Sequence, residues 1–292
     1  MKLKDIQGIF HKELDAIYGK EEVFSFFFIC LESFYNISRL QLATDPELSI
    51  TKEEQEPIFD ALERLKQQQP IQYIIGKARF YGELFKVDSN TLIPRSETEE
   101  MVDSIIKETV REIGLGNLKA PIYILDIGTG SGCIAVTLAK QLPEAEVFAL
   151  DVSKGALKVA QENAKLNEVK VNFIEADILD TKNIENQPKF DVIVSNPPYV
   201  RELEKKQMRA NVLENEPHLA LFVEDDNPLI FYKAITEFAE HNLKPEGVLY
   251  FEINEYLASE TLALVDSYSF NEVEVRKDMF GKYRILKAIK SE

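Results

Sequence analysis

Apolar residues recur at helical spacing over the first 70 residues of the chain. Leu3, Ile6, Phe10 and Leu14 fall on one face of a helix, and a second helical segment follows directly. Pro70 ends the last helix of this region, because proline cannot continue an α-helix. The predicted helices cover residues 3–18, 20–35, 39–43 and 52–68. Residues 1–70 are therefore predicted to form a small N-terminal helical domain, whose expected role is to recognise or orient a substrate protein.

Extended segments are predicted next, and they favour a β-hairpin linker over residues 71–95. A cluster of turn-forming residues, Asp88-Ser89-Asn90, separates the main extended run from a short apolar one. The extended pieces are residues 71–75, 78–87 and 91–93.

A helix is predicted to begin at Ser96. Ser96 and Glu99 stand in the S-x-x-E relation of a capping box, and apolar residues recur at helical spacing up to Val110. Arg95 therefore lies at the junction between hairpin and helix. Two roles for its charge are equally supported: an ion pair with Glu97 or Glu99, or contact with a neighbouring cofactor pocket.

The pattern changes after Pro121 to an alternation of short apolar runs and amphipathic helical segments. Such alternation is typical of a doubly wound α/β domain with a parallel sheet, which binds ligands at the carboxyl ends of its strands. The predicted strands are residues 122–126, 146–151, 170–174, 190–195, 248–253, 270–276 and 283–289. The predicted helices are residues 131–141, 153–166, 228–243 and 256–265. Residues 96–292 are thus predicted to form the larger domain.

A glycine-rich segment, Asp126-Ile127-Gly128-Thr129-Gly130-Ser131-Gly132, follows the first predicted strand of this domain. Gly128 and Gly130 allow a ligand to approach the backbone closely. The dinucleotide fingerprint G-x-G-x-x-G would need a glycine at Cys133, and no G-x-x-x-x-G-K-[ST] phosphate loop is present. The segment therefore favours neither NAD nor ATP.

An acidic residue lies at or shortly after the carboxyl end of each of the next two predicted strands. Asp151 ends the second strand, where a carboxylate accepts both hydroxyls of a ribose. Asp177 follows the third strand, where its carboxylate or the adjacent Ile178 would meet an adenine. Together these positions predict a slot shaped for a nucleoside.

The tetrapeptide Asn196-Pro197-Pro198-Tyr199 follows an apolar run that is predicted to be a buried strand. The side-chain oxygen of Asn196 and the carbonyl of Pro197 offer two hydrogen-bond acceptors beside the ring of Tyr199, which suits a planar NH2 group. Taken alone, the same residues are explained equally well by a rigid Pro-Pro turn that ends the strand.

Charge and hydropathy narrow the functional classes further. A net charge of −16 argues against tight binding to long nucleic acid, which needs Lys and Arg to neutralise phosphates, and suits a basic partner instead. Residues 23–31 form the longest apolar run near the N-terminus, well short of the roughly 20 residues of a membrane span. Residues 1–20 lack the apolar centre of a signal peptide, so a cytoplasmic location is expected.

The cysteines and histidines do not indicate a metal site or a disulfide framework. Cys30 and Cys133 lie in different predicted domains among apolar neighbours, so reduced thiols are expected. The three histidines have no metal-ligand spacing and no cysteine nearby, so no metal is expected.

The ordered set of motifs resembles the class I S-adenosylmethionine methyltransferases, and among them the glutamine N5-methyltransferases that modify peptide-chain release factors. The motifs are Gln72-Tyr73-Ile74-Ile75-Gly76, Leu92-Ile93-Pro94-Arg95-Ser96-Glu97-Thr98-Glu99, the segment from Asp126 to Ala135, and Val194-Ser195-Asn196-Pro197-Pro198-Tyr199. The last motif alone is shared with adenine N6 and cytosine N4 DNA methyltransferases, so the order of all four carries the resemblance.

The resemblance implies a class I methyltransferase-like sheet of seven strands, one of them antiparallel, together with the helical domain and hairpin linker. It implies S-adenosyl-L-methionine as cofactor and the glutamine of the GGQ motif in release factors as substrate. The cofactor would contact Arg95, Asp126, Ile127, Gly128, Thr129, Gly130, Asp151, Asp177, Ile178 and Asn196. Asn196, Pro197, Pro198 and Tyr199 would bind the substrate amide, with Asn196 and Pro197 catalytic.

Two segments depart from the family pattern. Ser96 stands where a second proline usually follows the arginine, and residues 224–229 replace a turn that commonly contains glycine, so no contact is assigned to that loop.

Three hypotheses follow for the function. The first is methylation of a release-factor glutamine, in which Asn196 and Pro197 accept the two amide hydrogens and Tyr199 packs on the amide plane. The second keeps the chemistry but takes a flipped nucleic-acid base as substrate. The third is a noncatalytic binding module on the same fold.

Overall fold

A computed structural model describes residues 1–180, 184 and 187–291, except the side chains of Gln207 and Ala210. The chain forms two compact units. The smaller comprises residues 1–76 and 209–215, and the larger comprises residues 77–208 and the chain from residue 216 onward. None of the helices in the described part of the chain is long and apolar enough to cross a membrane.

The smaller unit is helical. The apolar stripe predicted from the sequence is buried: Leu3, Ile6, Phe10 and Leu14 of the first helix have no exposed surface. Both long helices are confirmed with their predicted bounds, residues 3–18 and 20–35. Gly19, at φ 84°, provides the turn between them. The helices are α1 (Leu3–Tyr18), α2 (Lys20–Tyr35), α3 (Arg39–Thr44), α4 (Glu56–Lys66) and α5 (Ile71–Ile75), and residues 210–215 add a short helix, α9 (Ala210–Asn215).

Helix α5 corrects the prediction that residues 71–75 are extended. Pro70 precedes its first turn, and Gly76 ends it in the left-handed conformation at φ 68° with its N–H donated to the carbonyl of Gln72. Proline before a helix and glycine after it are the usual signals of helix ends. A run of five residues is too short to show a periodicity that separates strand from helix.

Apart from Lys77, the hairpin lies within residues 78–87, the segment predicted as one extended run. Strands β1 (Lys77–Phe80) and β2 (Glu83–Lys86) pair antiparallel, with Lys77 opposite Lys86. Tyr81 and Gly82 form the turn, with φ values of 50° and 79° that match a two-residue hairpin turn. The predicted turn at residues 88–90 is confirmed, because the N–H of Thr91 donates to the carbonyl of Asp88 at 3.0 Å. The prediction of a returning strand at residues 91–93 is wrong.

The larger unit contains the predicted seven-stranded sheet, in the order β10-β11-β9-β6-β3-β4-β5. Strand β11 runs antiparallel to both of its neighbours, and the remaining pairs are parallel. The strands are β3 (Ile122–Ile127), β4 (Ala145–Asp151), β5 (Asn172–Glu175), β6 (Phe190–Ser195), β9 (Leu243–Glu252), β10 (Phe270–Lys277) and β11 (Tyr283–Lys290). A separate two-stranded ladder joins β7 (Val200–Arg201) and β8 (Phe222–Val223). The predicted fold class is confirmed.

Helices cover both faces of this sheet, and strand alternation divides the core between them. Leu125 and Ile127 of β3 belong to one apolar cluster, whereas Ile122 and Ile124 belong to the other, because successive side chains of a strand point to opposite faces. The helices are α6 (Ser96–Leu115), α7 (Cys133–Gln141), α8 (Lys154–Leu166), α10 (Ile230–Asn242) and α11 (Ala258–Asp266).

The order of the central strands creates a crevice. Strand β3 lies between β4, which follows it in the chain, and β6, which joins from the other side. This reversal of strand order is the switch point at which open α/β sheets bind ligands, beyond the carboxyl ends of the strands.

Candidate active site

A cavity of about 370 Å³ opens at the carboxyl ends of β3, β4 and β6. This volume falls within the range of roughly 300–1,000 Å³ that is usual for small-molecule sites. It brings together most of the residues that the sequence predicts for the site: Arg95, Ile127, Gly128, Thr129, Gly130, Asp151, Asp177, Ile178, Asn196, Pro197 and Pro198. Asp126 and Tyr199 do not line it.

The glycine-rich loop after β3 is held against the end of β4 by its own backbone. The N–H groups of Gly128 and Thr129 both donate to the carbonyl of Leu150, at 2.8 and 3.0 Å. Gly128 and Gly130 have φ values of 73° and 56°, and a Cβ added to either would meet no atom within 4 Å. The space beside the loop is therefore open to a ligand that approaches the backbone, as the sequence predicts.

Asp126 lies beneath this loop rather than in the cavity. Its side chain is fully buried, and its Oδ2 accepts the hydroxyl hydrogen of Thr129 at 2.6 Å. Burial raises the pKa of Asp126 to about 7, although the hydrogen bond from Thr129 opposes the rise. Asp126 thus supports the loop from below, and a direct contact between its side chain and a cofactor stays a prediction.

Asp151 and Asp177 stand at the edge of the cavity where the sequence places them. Asp151 accepts the N–H of Gly130 on Oδ2 and the N–H of Ser153 on Oδ1, both at 2.8 Å. Burial raises the pKa of Asp151, and these two backbone hydrogen bonds oppose the rise. Asp177 Oδ1 accepts the N–H of Leu179 at 2.9 Å. Each carboxylate oxygen keeps capacity for a further donor from a ligand.

Asn163 of α8 is a supporting residue that the sequence analysis missed. Its side-chain Nδ2 donates to the carbonyls of Ser131 and Lys86, each at 2.9 Å, and its Oδ1 accepts the N–H of Lys86 at 2.7 Å. One buried amide therefore ties the glycine-rich loop to the hairpin. Nearby, a Cβ added to Gly132 would lie 2.9 Å from the Cβ of Ala160, so α8 packs closely against this loop.

Arg95 and Ser96 differ from the sequence prediction in their partners. Arg95 Nη2 donates to Oε1 of Glu216 at 2.6 Å, and that carboxylate also accepts the N–H of Ile93 at 3.3 Å. Arg95 therefore forms an ion pair, with Glu216 rather than Glu97 or Glu99, and it also lines the cavity. Ser96 is the first residue of α6, and its hydroxyl donates to Glu97, so the predicted capping box is wrong.

The tetrapeptide of residues 196–199 leaves the end of β6 and borders two cavities. Asn196 and Pro197 line both the large cavity and a smaller adjoining one of about 50 Å³, which Tyr199 also lines. The hydroxyl of Tyr199 donates to Oε1 of Glu252 at 2.9 Å, and burial raises the pKa of Tyr199 well above 10. The packing of Tyr199 on a substrate amide stays a prediction.

Glu252 is a second residue that the sequence analysis missed. It ends β9 as Asp151 ends β4, but the predicted strand extended to residue 253, so the rule of an acidic residue at a strand end did not identify it. Its side chain is buried and accepts the hydroxyl hydrogens of Thr98 and Tyr199. Burial raises the pKa of Glu252, whereas these hydrogen bonds and the nearby charge of Arg284 lower it.

Comparison with known proteins identifies the family to which this chain belongs. The chain is 51% identical over 287 residues to the release factor glutamine methyltransferase of Flavobacterium psychrophilum, covering 98% of this chain and 99% of the relative. The chain belongs to the release factor glutamine methyltransferase family. The family member of Bacteroides thetaiotaomicron is 40% identical over 283 residues, covering 97% and 98% of the two chains.

Two family models match the chain, an N-terminal domain first and a methyltransferase domain after it. Residues 21–76 match the model of the PrmC N-terminal domain, and residues 115–220 match that of the methyltransferase small domain. Among solved structures, the 16S rRNA N2 G1207 methyltransferase of T. thermophilus, in complex with AdoMet and guanosine, superposes with a TM-score of 0.51 at 19% identity, covering 73% of this chain and 49% of that one. This likeness supports the fold alone.

Proposed function

We propose that this protein transfers a methyl group from S-adenosyl-L-methionine to the side-chain amide nitrogen of a glutamine in a peptide-chain release factor, the glutamine of the GGQ motif. The observation that carries the proposal is membership of the family over almost the whole chain. The predictions of an S-adenosylmethionine-dependent methyltransferase and of its cofactor are confirmed by that membership.

The large cavity fits this cofactor by the chemistry of its donors and acceptors. Open space beside Gly128 and Gly130 accommodates a ligand against the backbone, while Asp151 offers carboxylate oxygens to ribose hydroxyls. Asp177 and Ile178 line the same cavity, where an adenine would meet a polar and an apolar side chain. When bound, the cofactor supplies a methyl group that its sulfonium already activates.

The contribution of the protein is to position and polarise the amide. A glutamine nitrogen is a poor nucleophile, because its lone pair is delocalised into the carbonyl. Asn196 Oδ1 and the carbonyl of Pro197 are proposed to accept its two hydrogens, which draws the lone pair outward and stabilises the positive charge that develops on nitrogen. Fixing a nucleophile in line with its target can lower a reaction barrier by on the order of 7–11 kcal/mol through proximity.

The release factor is the proposed partner, and the helical unit of residues 1–76 is proposed to recognise it. The net charge of −16 suits a partner with a basic surface, because opposite charges accelerate encounter. The same charge disfavours the alternative of a nucleic-acid amino-methyltransferase, which would draw its affinity from basic residues.

The direct test is transfer of a labelled methyl group to a purified release factor, compared with a factor whose GGQ glutamine is changed to alanine. Label is expected in the native factor and not in the changed one. Label that persists after the change would refute the site of methylation, and transfer to DNA or RNA in place of protein would favour the nucleic-acid alternative. A calorimetric titration that detects no cofactor binding would favour a noncatalytic module.

Asn196→Ala tests the proposed clamp. We expect cofactor affinity to change less than threefold and turnover to fall at least 100-fold, since removal of one oxyanion-type hydrogen-bonding group costs roughly 10²–10³ in kcat. Asn271→Ala makes the same substitution at an exposed position on β10 and should leave turnover unchanged. Wild-type turnover in Asn196→Ala would show that the substrate amide is not held there.

A further inference from the structure

A chain of hydrogen bonds runs behind Asn196, away from the backbone turn that carries it. Nδ2 of Asn196 donates to Oγ1 of Thr98 at 3.3 Å, and the Thr98 hydroxyl donates to Oε2 of Glu252 at 2.6 Å. Thr98 and Glu252 are each 2% exposed. Three separate elements, α6, β9 and the turn after β6, therefore meet through one buried hydroxyl.

The direction of these bonds sets which end of the Asn196 amide faces Thr98. A hydroxyl has one hydrogen, and Thr98 gives that hydrogen to the carboxylate of Glu252. The Thr98 oxygen then offers lone pairs alone to Asn196, so the NH2 end of the amide must face it. The carbonyl end, Oδ1, is left to accept a hydrogen from another group.

This direction matters because the two ends of an asparagine amide have nearly the same shape. Without a fixed neighbour, the amide of Asn196 can rotate by 180° and exchange its oxygen for its nitrogen at little steric cost. The rotated amide would present an NH2 group to the NH2 group of a substrate glutamine. Two donors would then face each other, and the substrate nitrogen would lose an acceptor.

Glu252, which fixes the direction, is itself held at its carboxylate and at its backbone. Tyr199 donates its hydroxyl hydrogen to Oε1 of Glu252 at 2.9 Å, and Tyr232 donates to the backbone carbonyl of Glu252 at 3.1 Å. Arg284 on β11 donates to the neighbouring carbonyl of Ile253 at 3.2 Å. Both carboxylate oxygens thus receive a hydroxyl hydrogen.

We propose that Thr98 and Glu252 are positioning residues that hold the Asn196 amide with Oδ1, rather than Nδ2, toward the substrate nitrogen. The inference rests on the proposed function, because it assigns a purpose to an acceptor for a substrate NH2 group. It adds two residues that act through Asn196 and need no contact with the substrate.

Two substitutions of Thr98 separate this role from packing. Thr98→Val keeps the volume and removes the hydroxyl, whereas Thr98→Ser keeps the hydroxyl and removes a methyl group. We expect kcat for methyl transfer to fall at least tenfold in Thr98→Val and to stay within threefold in Thr98→Ser, with cofactor affinity and the KM for the release factor within threefold in both. A packing role predicts the reverse order, because valine fills the site and serine leaves a gap.

Glu252→Ala tests the other end of the chain. Without the carboxylate, the Thr98 hydrogen is free to bond Oδ1 of Asn196, so kcat should fall as in Thr98→Val. Combining both substitutions should cost no more than the larger single effect, because the two residues act on one amide. Cofactor affinity and thermal unfolding are measured for each variant, and the Thr98 pair decides the proposal where Glu252→Ala fails to fold.

Nuclear magnetic resonance of protein labelled with ¹⁵N-asparagine reports the amide directly and needs no substrate. The Asn196 NH2 resonance is expected to shift in Thr98→Val and to remain near the wild-type position in Thr98→Ser. Absence of transfer to any release factor by the wild-type protein would refute the proposed function, while the resonance would still establish the amide orientation. An unshifted resonance and wild-type kcat in Thr98→Val would overturn the positioning role.

Discussion

Replacing Asp126 by asparagine should make the stability of the cofactor-free protein less dependent on pH. Asp126 is fully buried, and burial raises its pKa from 3.8 to about 7. Because one pKa unit corresponds to 1.36 kcal/mol, this rise is equivalent to about 4 kcal/mol. Asparagine has nearly the same shape and does not titrate, so it removes this contribution while its oxygen still accepts from Thr129.

The direction of the effect follows from where the proton binds. Below about pH 4 the Asp126 carboxyl is neutral in both the folded and the unfolded state, and its burial carries no charge penalty. As the pH rises, the unfolded chain loses this proton first and the folded protein holds it until about pH 7. The free energy of unfolding therefore decreases through this window, and the loss is complete above it.

Denaturant unfolding at several pH values measures this dependence. Between pH 5 and pH 8, the free energy of unfolding of Asp126→Asn should gain about 3 kcal/mol relative to the wild type. Asp226→Asn, at an exposed position, controls for the loss of one negative charge. If the free energy of unfolding of Asp126→Asn, relative to the wild type, stays constant or decreases as the pH rises, the assignment of a neutral buried carboxyl is refuted.

Two further substitutions test the cofactor loop and its support. Asp151→Ala should raise the Kd for S-adenosyl-L-methionine at least tenfold in calorimetric titration, because a hydrogen bond to a charged group contributes roughly 1.5–3 kcal/mol; an unchanged Kd would exclude the ribose contact. Gly132→Ala should destabilise the protein by about 2–4 kcal/mol, since it adds left-handed strain at φ 79° and a contact of 2.9 Å with Ala160. Gly116 has the same φ of 79°, but no atom lies within 4 Å of an added Cβ, so Gly116→Ala should lower the free energy of unfolding by less than Gly132→Ala does. An equal loss in the two variants would show that α8 shifts to accommodate the added methyl group.

The sheet could be predicted from the sequence because its strands are apolar runs separated by clear helical segments. The carboxyl end of each strand then placed the glycine-rich loop, Asp151, Asp177 and Asn196 at one edge without any knowledge of contacts. The cavity at that edge contains the backbone or side chains of all four. Local pattern and strand direction together were sufficient for this part of the site.

The errors occur where short segments depend on their surroundings. Residues 71–75 are too few to show a period, so the flanking Pro70 and Gly76 were the better guide to helix α5. The hairpin turn at Tyr81 places a non-glycine residue at φ 50°, which composition does not signal.

Partners far apart along the chain were also beyond reach of the pattern. Arg95 pairs with Glu216, 121 residues away, and Thr98 donates to Glu252, 154 residues away. Sequence patterns identify neighbours only a few residues apart, so the only ion-pair partners that they offered Arg95 were Glu97 and Glu99. Such distant pairs become apparent when the fold brings the elements together.

The position of β11 has a consequence for the order in which the protein is assembled. Strand β11 lies between β9 and β10, although both precede it in the chain. During synthesis β10 therefore emerges before its neighbour exists, and the edge of β9 that ends at Glu252 stays unpaired until residues 283–290 have been made. A chain halted before residue 283 would carry the glycine-rich loop together with open strand edges, which are templates for pairing with other chains.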